Sequence, residues 1–365
     1  MQWQAILKIL GVLLMMFSTS LLPPLVISLI VGDGGTFSFA VALSITLLTG
    51  LILWGSLKQH RQEPRLRDGF LIVVLFWSVL AGFGTIPFLL MPEPDMSVTE
   101  AFFESMSGLT TTGATVLTGI DDLPPSILYY RQQLQWLGGM GIIVLAVAVM
   151  PMLGIGGMQL YRAEAPGPVK DKKLTPRIKE TAKALWYIYL GLTVACAIAY
   201  WLGGMNLFDA VGHSFSTVAI GGFSTHDQSI GFFNSPAIAA IACLFMLASG
   251  INFALHFTAL RDRSPSLYLK DPEVKAFITG LVIITAVVLT ILFVYGAYTE
   301  SLETFWHGVF QVVSIATTTG FTTSGFHWWP TFLPILLILM SAIGGCAGST
   351  AGGMKIIRVI LLYKQ

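Results

Sequence analysis

The chain has few charges. Only 11% of its 365 residues are Asp, Glu, Lys or Arg, against 55% hydrophobic, where a soluble globular protein carries roughly 25% charged residues. A mean hydropathy of +0.76 points the same way. A water-soluble globule is excluded, and the formal net charge of +1 carries no information about partners. Cysteine is also scarce. Cys196, Cys243 and Cys346 form an odd set in apolar surroundings without CxxC spacing, so neither a disulfide framework nor a cysteine metal site is expected. The N-terminal apolar run lacks a small-residue cleavage site and is too long for a signal-peptide core, so it reads as a retained helix. No Gly-x-Ser-x-Gly context surrounds Ser249 and His256, or His213 and Ser214, the serine–histidine pairs that an intramembrane hydrolase would use. Ser249 and His256 are seven apart, two turns along one helix face. That enzyme class stays a remote alternative, and the expectation is no enzyme.

What the chain has in abundance is apolar runs of bilayer length, about 20 residues. They lie at 5–31 (interrupted by Pro23-Pro24), 36–57, 69–91, 127–156, 184–202, 233–258, 276–298 and from Trp329 onward. An all-α integral membrane fold is expected. Between runs recurs a Thr/Gly segment: Ser107-Gly-Leu-Thr-Thr-Thr-Gly113, Ser314-Ile-Ala-Thr-Thr-Thr-Gly320, and a third copy at Ser216-Thr-Val-Ala-Ile-Gly-Gly222. Gly222 lies 109 residues past Gly113, and Gly320 lies 98 past Gly222. Agreement extends backwards to the columns Glu100/Asp209/His307, Glu104/His213/Gln311 and Ser107/Ser216/Ser314. This long repeat reads as outer helix, short amphipathic re-entrant helix, extended loop, inner helix, used three times. The divisions expected are a two-helix segment at 1–68 and pore units at 69–165, 166–272 and 273–365.

Lys and Arg collect in the joints between units. They are Lys58, Arg61, Arg65 and Arg67, then Arg162 to Lys183, then Arg261, Arg263, Lys270 and Lys275. Cytoplasmic loops are enriched in these residues, so the joints and the N-terminus are expected inside. Segments flanking the Thr/Gly loops carry Glu93, Asp95, Glu100, Glu104, Asp121, Asp122, Asp209, Asp227, Glu300 and Glu303, with Arg131 the one basic residue. An anionic outer vestibule follows, which concentrates cations.

Irregular backbone at membrane depth is tolerated only where protein or a water-filled cavity surrounds it. Loops of Thr-Thr-Thr-Gly type can stack carbonyl oxygens that replace the hydration shell of a monovalent cation. Gly113, Gly222 and Gly320 permit the backbone angles required, and each preceding helix aims its negative end at the pathway. Glu104, His213 and Gln311, one position filled by three polar groups, read as hydrogen-bonding braces for the loop. The last apolar run is too long for one crossing and is interrupted by Gly344-Gly-Cys-Ala-Gly-Ser-Thr-Ala-Gly-Gly353. Each glycine costs about 1 kcal/mol in a helix, so the helix should break there, either to form a flap in the conduction path or to let helices pack closely.

The stretches TTTGAT (110–115), AIGGFST (219–225), TTTGFTTSGF (317–326) and GGCAGSTAGGMKIIR (344–358) resemble the Trk/Ktr/HKT superfamily of potassium transport proteins, most closely its bacterial TrkH branch, which the helical pair at 1–57 also resembles. The resemblance implies gated potassium uptake across the inner membrane, with filter carbonyls from Thr111, Thr112, Ile220, Gly221, Thr318 and Thr319. It implies a gating loop at 344–353, with Gly345, Gly348, Gly352, Gly353 and the following Lys355. It also implies a homodimer, a cytosolic nucleotide-binding subunit of TrkA type, and potassium as the one bound ion without an organic cofactor. The family pattern has a fourth unit roughly 100 residues beyond Gly320, so a chain ending at Gln365 is expected to be a truncated form. A proton- or sodium-coupled symporter is the alternative. It requires a titratable group at membrane depth, for which Glu104 and His213 are the candidates.

Overall fold

The computed structural model describes residues 2–58, 66–149 and 178–365, and among these every regular element is helical. The basic residues Arg61 and Arg65 and most of the 162–183 connector lie outside the described residues. Two compact units divide the chain, Met1–Lys183 and Ala184–Gln365.

In the first unit, α1 (Trp3–Thr19) and α2 (Leu22–Val31) share one apolar span, interrupted by a turn at Ser20–Leu21 just before the proline pair, and α3 (Thr36–Leu57) returns beside them. Close approach of α1 and α3 depends on two glycines. A Cβ on Gly11 would sit 2.9 Å from the Gly50 carbonyl, and one on Gly50 would sit 2.8 Å from that of Gly11. Helices in lipid lack a hydrophobic drive to associate, so such small-residue contacts supply the packing. Asp33 closes the turn between α2 and α3. Its Oδ1 accepts the Ser28 hydroxyl (2.5 Å) and the Gly35 N–H (3.1 Å), and its Oδ2 accepts the N–H of Ser126 (2.9 Å). Partial burial opposes the charged form there, but these hydrogen bonds outweigh it and hold the carboxyl below the usual aspartate range.

Next come α4 (Leu66–Gly84), α5 (Ile86–Leu90), the short α6 (Val98–Leu109) and α7 (Pro125–Val149). Ser97 and Glu100 start α6 with a reciprocal capping box. The long α7 is broken at Gly141, where φ is 44°.

The second unit holds α8 (Ile178–Leu202), the short α9 (Leu207–Ala219), α10 (Pro236–Ser249), α11 (Phe253–Arg261), α12 (Ser266–Lys270), α13 (Pro272–Tyr295), α14 (Ser301–Ala316), α15 (Leu333–Ser341) and α16 (Ile356–Lys364). Its core joins Val274, Phe277, Leu281, Val288 and Leu292 of α13 to Val312 and Ala316 of α14 and Leu333 and Leu337 of α15. The opposite side of α13 leaves Val282, Ile283 and Val294 more than half exposed, as a lipid-facing helix does. Five helical spans among the described residues are long and apolar enough to cross a bilayer, and α10 with α11 makes a sixth if its two halves are counted together.

The run at 233–258, continuous in the sequence, is bent by 92° between α10 and α11. Gly250 ends α10, and Asn252 starts α11 by accepting the Ala254 N–H on its side chain (2.8 Å). The last run breaks where its glycines are, leaving α15 and α16 on either side of 342–355.

Candidate functional site

Three short helices, α6, α9 and α14, each end within four residues of Gly113, Gly222 or Gly320. A segment that is mostly extended or bent follows each, then a 3-10 turn at Ile120–Asp122, Ser229–Phe233 or Phe326–Trp328. The turn of chain at each helix end is the same. Thr112 N–H donates to the Ser107 carbonyl (2.9 Å), Gly221 N–H to Ser216 (2.8 Å) and Thr319 N–H to Ser314 (2.8 Å).

The dihedral angles match as well. Thr111 (φ 53°), Ile220 (55°) and Thr318 (69°) are β-branched residues in the left-handed region, and two residues on stand Gly113 (73°), Gly222 (81°) and Gly320 (86°). The intervening Thr112, Gly221 and Thr319 have negative φ. A β-branched residue at positive φ is a genuine outlier and costs of order 1–3 kcal/mol, a strain that clusters at functional sites. Alternating the sign of φ turns successive carbonyls toward the same side of the strand instead of opposite sides. Hydroxyls lock the arrangement in two copies: Thr110 Oγ1 with Thr112 Oγ1, and Thr317 Oγ1 with Thr319 Oγ1, both at 2.8 Å.

Each loop is braced from behind by the polar column of its short helix. Glu104 accepts the Thr115 hydroxyl at 3.0 Å and the Val116 N–H at 3.3 Å. His213 Nε2 meets Ser224 Oγ at 2.9 Å, and Gln311 Nε2 donates to the Ser324 carbonyl at 2.6 Å. One turn earlier, Thr225 Oγ1 donates to Asp209 Oδ1 (2.6 Å), and His307 Nδ1 meets Thr323 Oγ1 (2.9 Å). Ser107 and Ser314 also hold their loops, donating to the carbonyls of Ala114 and Phe321 at 2.6 Å. Ser216 Oγ, at the matching position, is buried without a hydrogen-bond partner among the described residues.

Glu104, Asp209 and Arg131, counted in the sequence with the charges at the mouth, are interior groups. Arg131 and Glu104 are 1% and 0% exposed, and Nε stands 2.7 Å from Oε1. A second guanidinium nitrogen donates to Thr115 Oγ1 (3.1 Å). An ion in low dielectric survives only when paired and hydrogen-bonded, and this pair forms one network with the loop after Gly113. The other acids flanking the loops, Glu93, Asp95, Glu100, Asp121, Asp122, Asp227, Glu300 and Glu303, are exposed.

Within the second unit the loops at 220–225 and 318–324 lie against each other. Gly231 N–H donates to the Thr322 carbonyl (3.0 Å), and Thr322 N–H donates to Ser229 Oγ (3.2 Å). A Cβ on Gly222 would stand 2.0 Å from the Thr319 carbonyl oxygen; only glycine fits there. The glycine-rich break is brought to the same place. Gly352 N–H donates to Thr318 Oγ1 (2.7 Å), and Thr350 Oγ1 donates to the Val218 carbonyl (2.9 Å). Of the glycines singled out in that stretch, Gly345 and Gly348 face the α10–α11 bend. Cys346 N–H donates to the Gly250 carbonyl (2.9 Å), and Gly348 carbonyl accepts from Phe253 (3.0 Å). Gly353 lies against Gly344, and Lys355 Nζ donates to the Ala351 carbonyl.

The serine–histidine pairs do not form. His256 gives its ring nitrogens to the Ala248 carbonyl (2.8 Å) and Tyr268 hydroxyl (2.9 Å), and His213 gives Nδ1 to the Asp209 carbonyl (2.9 Å). Ser214 Oγ donates to the Val211 carbonyl. The three cysteines are free thiols.

Apolar helices of bilayer length, joined through short helices that end in strained, braced, oxygen-rich loops, define a multi-pass membrane transport protein and not an enzyme. The family model described as "TrkH: Cation transport protein" matches residues 35–365, and the chain belongs to that family. It is 57% identical over 367 residues to the Trk system potassium uptake protein TrkH of Vibrio parahaemolyticus, covering 100% of this chain and 76% of that one. To TrkH of Escherichia coli K12 it is 53% identical over 365 residues, with the same coverage. To TrkG of that organism it is 40% identical over 358 residues, covering 97% and 73%. The crystal structure of the potassium transporter TrkH from Vibrio parahaemolyticus superposes with a TM-score of 0.89 and 53% identity, covering 100% of this chain and 75% of that one.

Proposed function

We propose that this protein takes up potassium across a bacterial inner membrane, through a gated pathway whose selectivity comes from the carbonyls of Thr111, Thr112, Ile220, Gly221, Thr318 and Thr319. The observation that carries the reading is the alternation of φ at 111–113, 220–222 and 318–320, which β-branched residues adopt only under constraint. A channel-like route is favoured over coupled symport because Glu104 and His213 serve the loops as hydrogen-bond braces. The same reading makes 344–353 the gate, since its Gly352 reaches Thr318.

The relatives are named as parts of a Trk system, which supports a regulatory partner; on this proposal that partner is a cytosolic nucleotide-binding subunit of TrkA type and the transport protein a homodimer. The exposed basic residues Arg261, Arg263, Lys270 and Lys275 support placing the unit joints, with the N-terminus, on the cytoplasmic side.

The test is ion selectivity in proteoliposomes. Replacement of Gly113, Gly222 or Gly320 by Ser is expected to lower the potassium-to-sodium permeability ratio, and an unchanged ratio in all three variants would overturn the filter assignment.

A further inference from the structure

The glycine-rich break is held by a side chain outside it. Glu273 stands in the first turn of α13 and is 8% exposed. Its Oε1 accepts two backbone N–H groups, from Ala347 at 2.7 Å and from Ile357 at 3.0 Å. These residues lie ten apart on opposite limbs of the break. Around them the limbs pair directly: Met354 N–H with the Ala342 carbonyl (2.9 Å), Lys355 with Ile343 (2.9 Å) and Ile356 with Gly345 (3.1 Å). The same carboxylate thus closes the base of a loop whose tip touches Thr318 and Val218. The turn that presents it is fixed, because Asp271 Oδ1 accepts the N–H groups of Glu273 (2.9 Å) and Val274 (3.0 Å).

A buried carboxylate is stable only with hydrogen bonds to its charge, and here one donor, Ala347, belongs to the loop that must move if the pathway opens, while the other, Ile357, belongs to the α16 limb that anchors it. The contact is therefore stronger with the loop docked than with it withdrawn, which is what biases a two-state element.

We infer that Glu273 is the positioning residue that latches the 344–353 loop against Thr318, an inference that rests on reading this loop as the gate. Removing the acceptor frees both limbs. Glutamine retains an oxygen in the same place and keeps most of the bias, whereas Glu273→Asp, shorter by one methylene, cannot reach both donors.

The experiment reads loop position and transport separately in the full chain. Cys346 lies in the loop and is fully buried, so with Cys196→Ser and Cys243→Ser it is the single native thiol among the described residues. In Glu273→Ala, maleimide labelling of Cys346 and basal rubidium flux into proteoliposomes are each expected to rise about tenfold. Two charge-assisted hydrogen bonds are lost, and tenfold corresponds to the part of them that differs between the docked and the withdrawn loop. The potassium-to-sodium ratio stays unchanged, and Glu273→Gln restores both readouts toward the parent. If labelling rises and flux does not, the latch stands and the gate reading falls. Unchanged labelling in folded Glu273→Ala overturns the latch, whatever the flux. Should the alanine variant fail to fold, Glu273→Asp against Glu273→Gln decides: equal labelling in the two overturns the proposal.

Discussion

Threonine and isoleucine carry a branch on Cβ that resists positive φ, yet Thr111, Ile220 and Thr318 all adopt it. The glycines that follow are not equivalent in what they tolerate. A Cβ at Gly320 meets nothing within 4 Å, whereas at Gly222 it would meet the Thr319 carbonyl at 2.0 Å. Gly222→Ser is therefore expected to lose more potassium selectivity than Gly320→Ser, which bears only the dihedral penalty of about 1–2 kcal/mol; bi-ionic reversal potentials rank the two. Behind the first loop, Glu104→Ala would leave Arg131 charged and buried. A cost of about 3–5 kcal/mol is expected, read as a drop in thermal stability in detergent, and Glu104→Met with Arg131→Met should recover most of it. The sequence put Arg131 at the vestibule because nothing local signals its fate: its partner is 27 residues away. The brace column Glu104/His213/Gln311, by contrast, was readable, because helical spacing from a shared glycine places three polar groups identically.

At the scale of elements, every described inner helix is interrupted: α7 at Gly141, the α10–α11 pair at Gly250, and the α15–α16 pair at 342–355. Only the last was legible, since five glycines in ten positions cannot continue a helix cheaply. A single glycine in an apolar run costs about 1 kcal/mol, too little to announce a break. The bend at Gly250 is fixed by Asn252 and by a hydrogen bond from Cys346, almost a hundred residues on, and long-range partners leave no periodic trace. Deleting Gly348 to Gly353 removes the contact with Thr318 but none of the φ-alternating residues. Open probability in single-channel recordings is expected to rise with the potassium-to-sodium ratio intact; a nonselective protein would assign the stretch to packing.

At the scale of the molecule, composition and run length identified an all-helical membrane protein, because the bilayer admits few solutions to backbone hydrogen bonding. The grouping into two compact units was not legible, since it depends on which helices pack together and not on where repeats begin. Within the first unit, Asp33 ties the α2–α3 turn to the start of α7 through Ser126. Its carboxyl titrates below the ordinary value of 3.8, so its stabilisation is complete above that pH and is lost as pH falls through the lowered value. The expected result is that Asp33→Asn lowers the unfolding temperature at pH 7 and that the gap to the parent closes on acidification below pH ~4, followed by thermal melts across pH.

The turn at Ser229–Phe233, which follows the 220–225 loop, is stitched to the loop at 318–324 by backbone, through Gly231 and Thr322, and not by side chains alone. Backbone bonds of that kind are made whatever side chains stand beside them, so a substitution elsewhere in the two segments leaves the seam closed, whereas a side chain forced into it at Gly222 must displace the Thr319 carbonyl. On the filter reading, graded changes of ion preference would arise at residues facing away from the seam, and a change at Gly222 would remake both neighbours together.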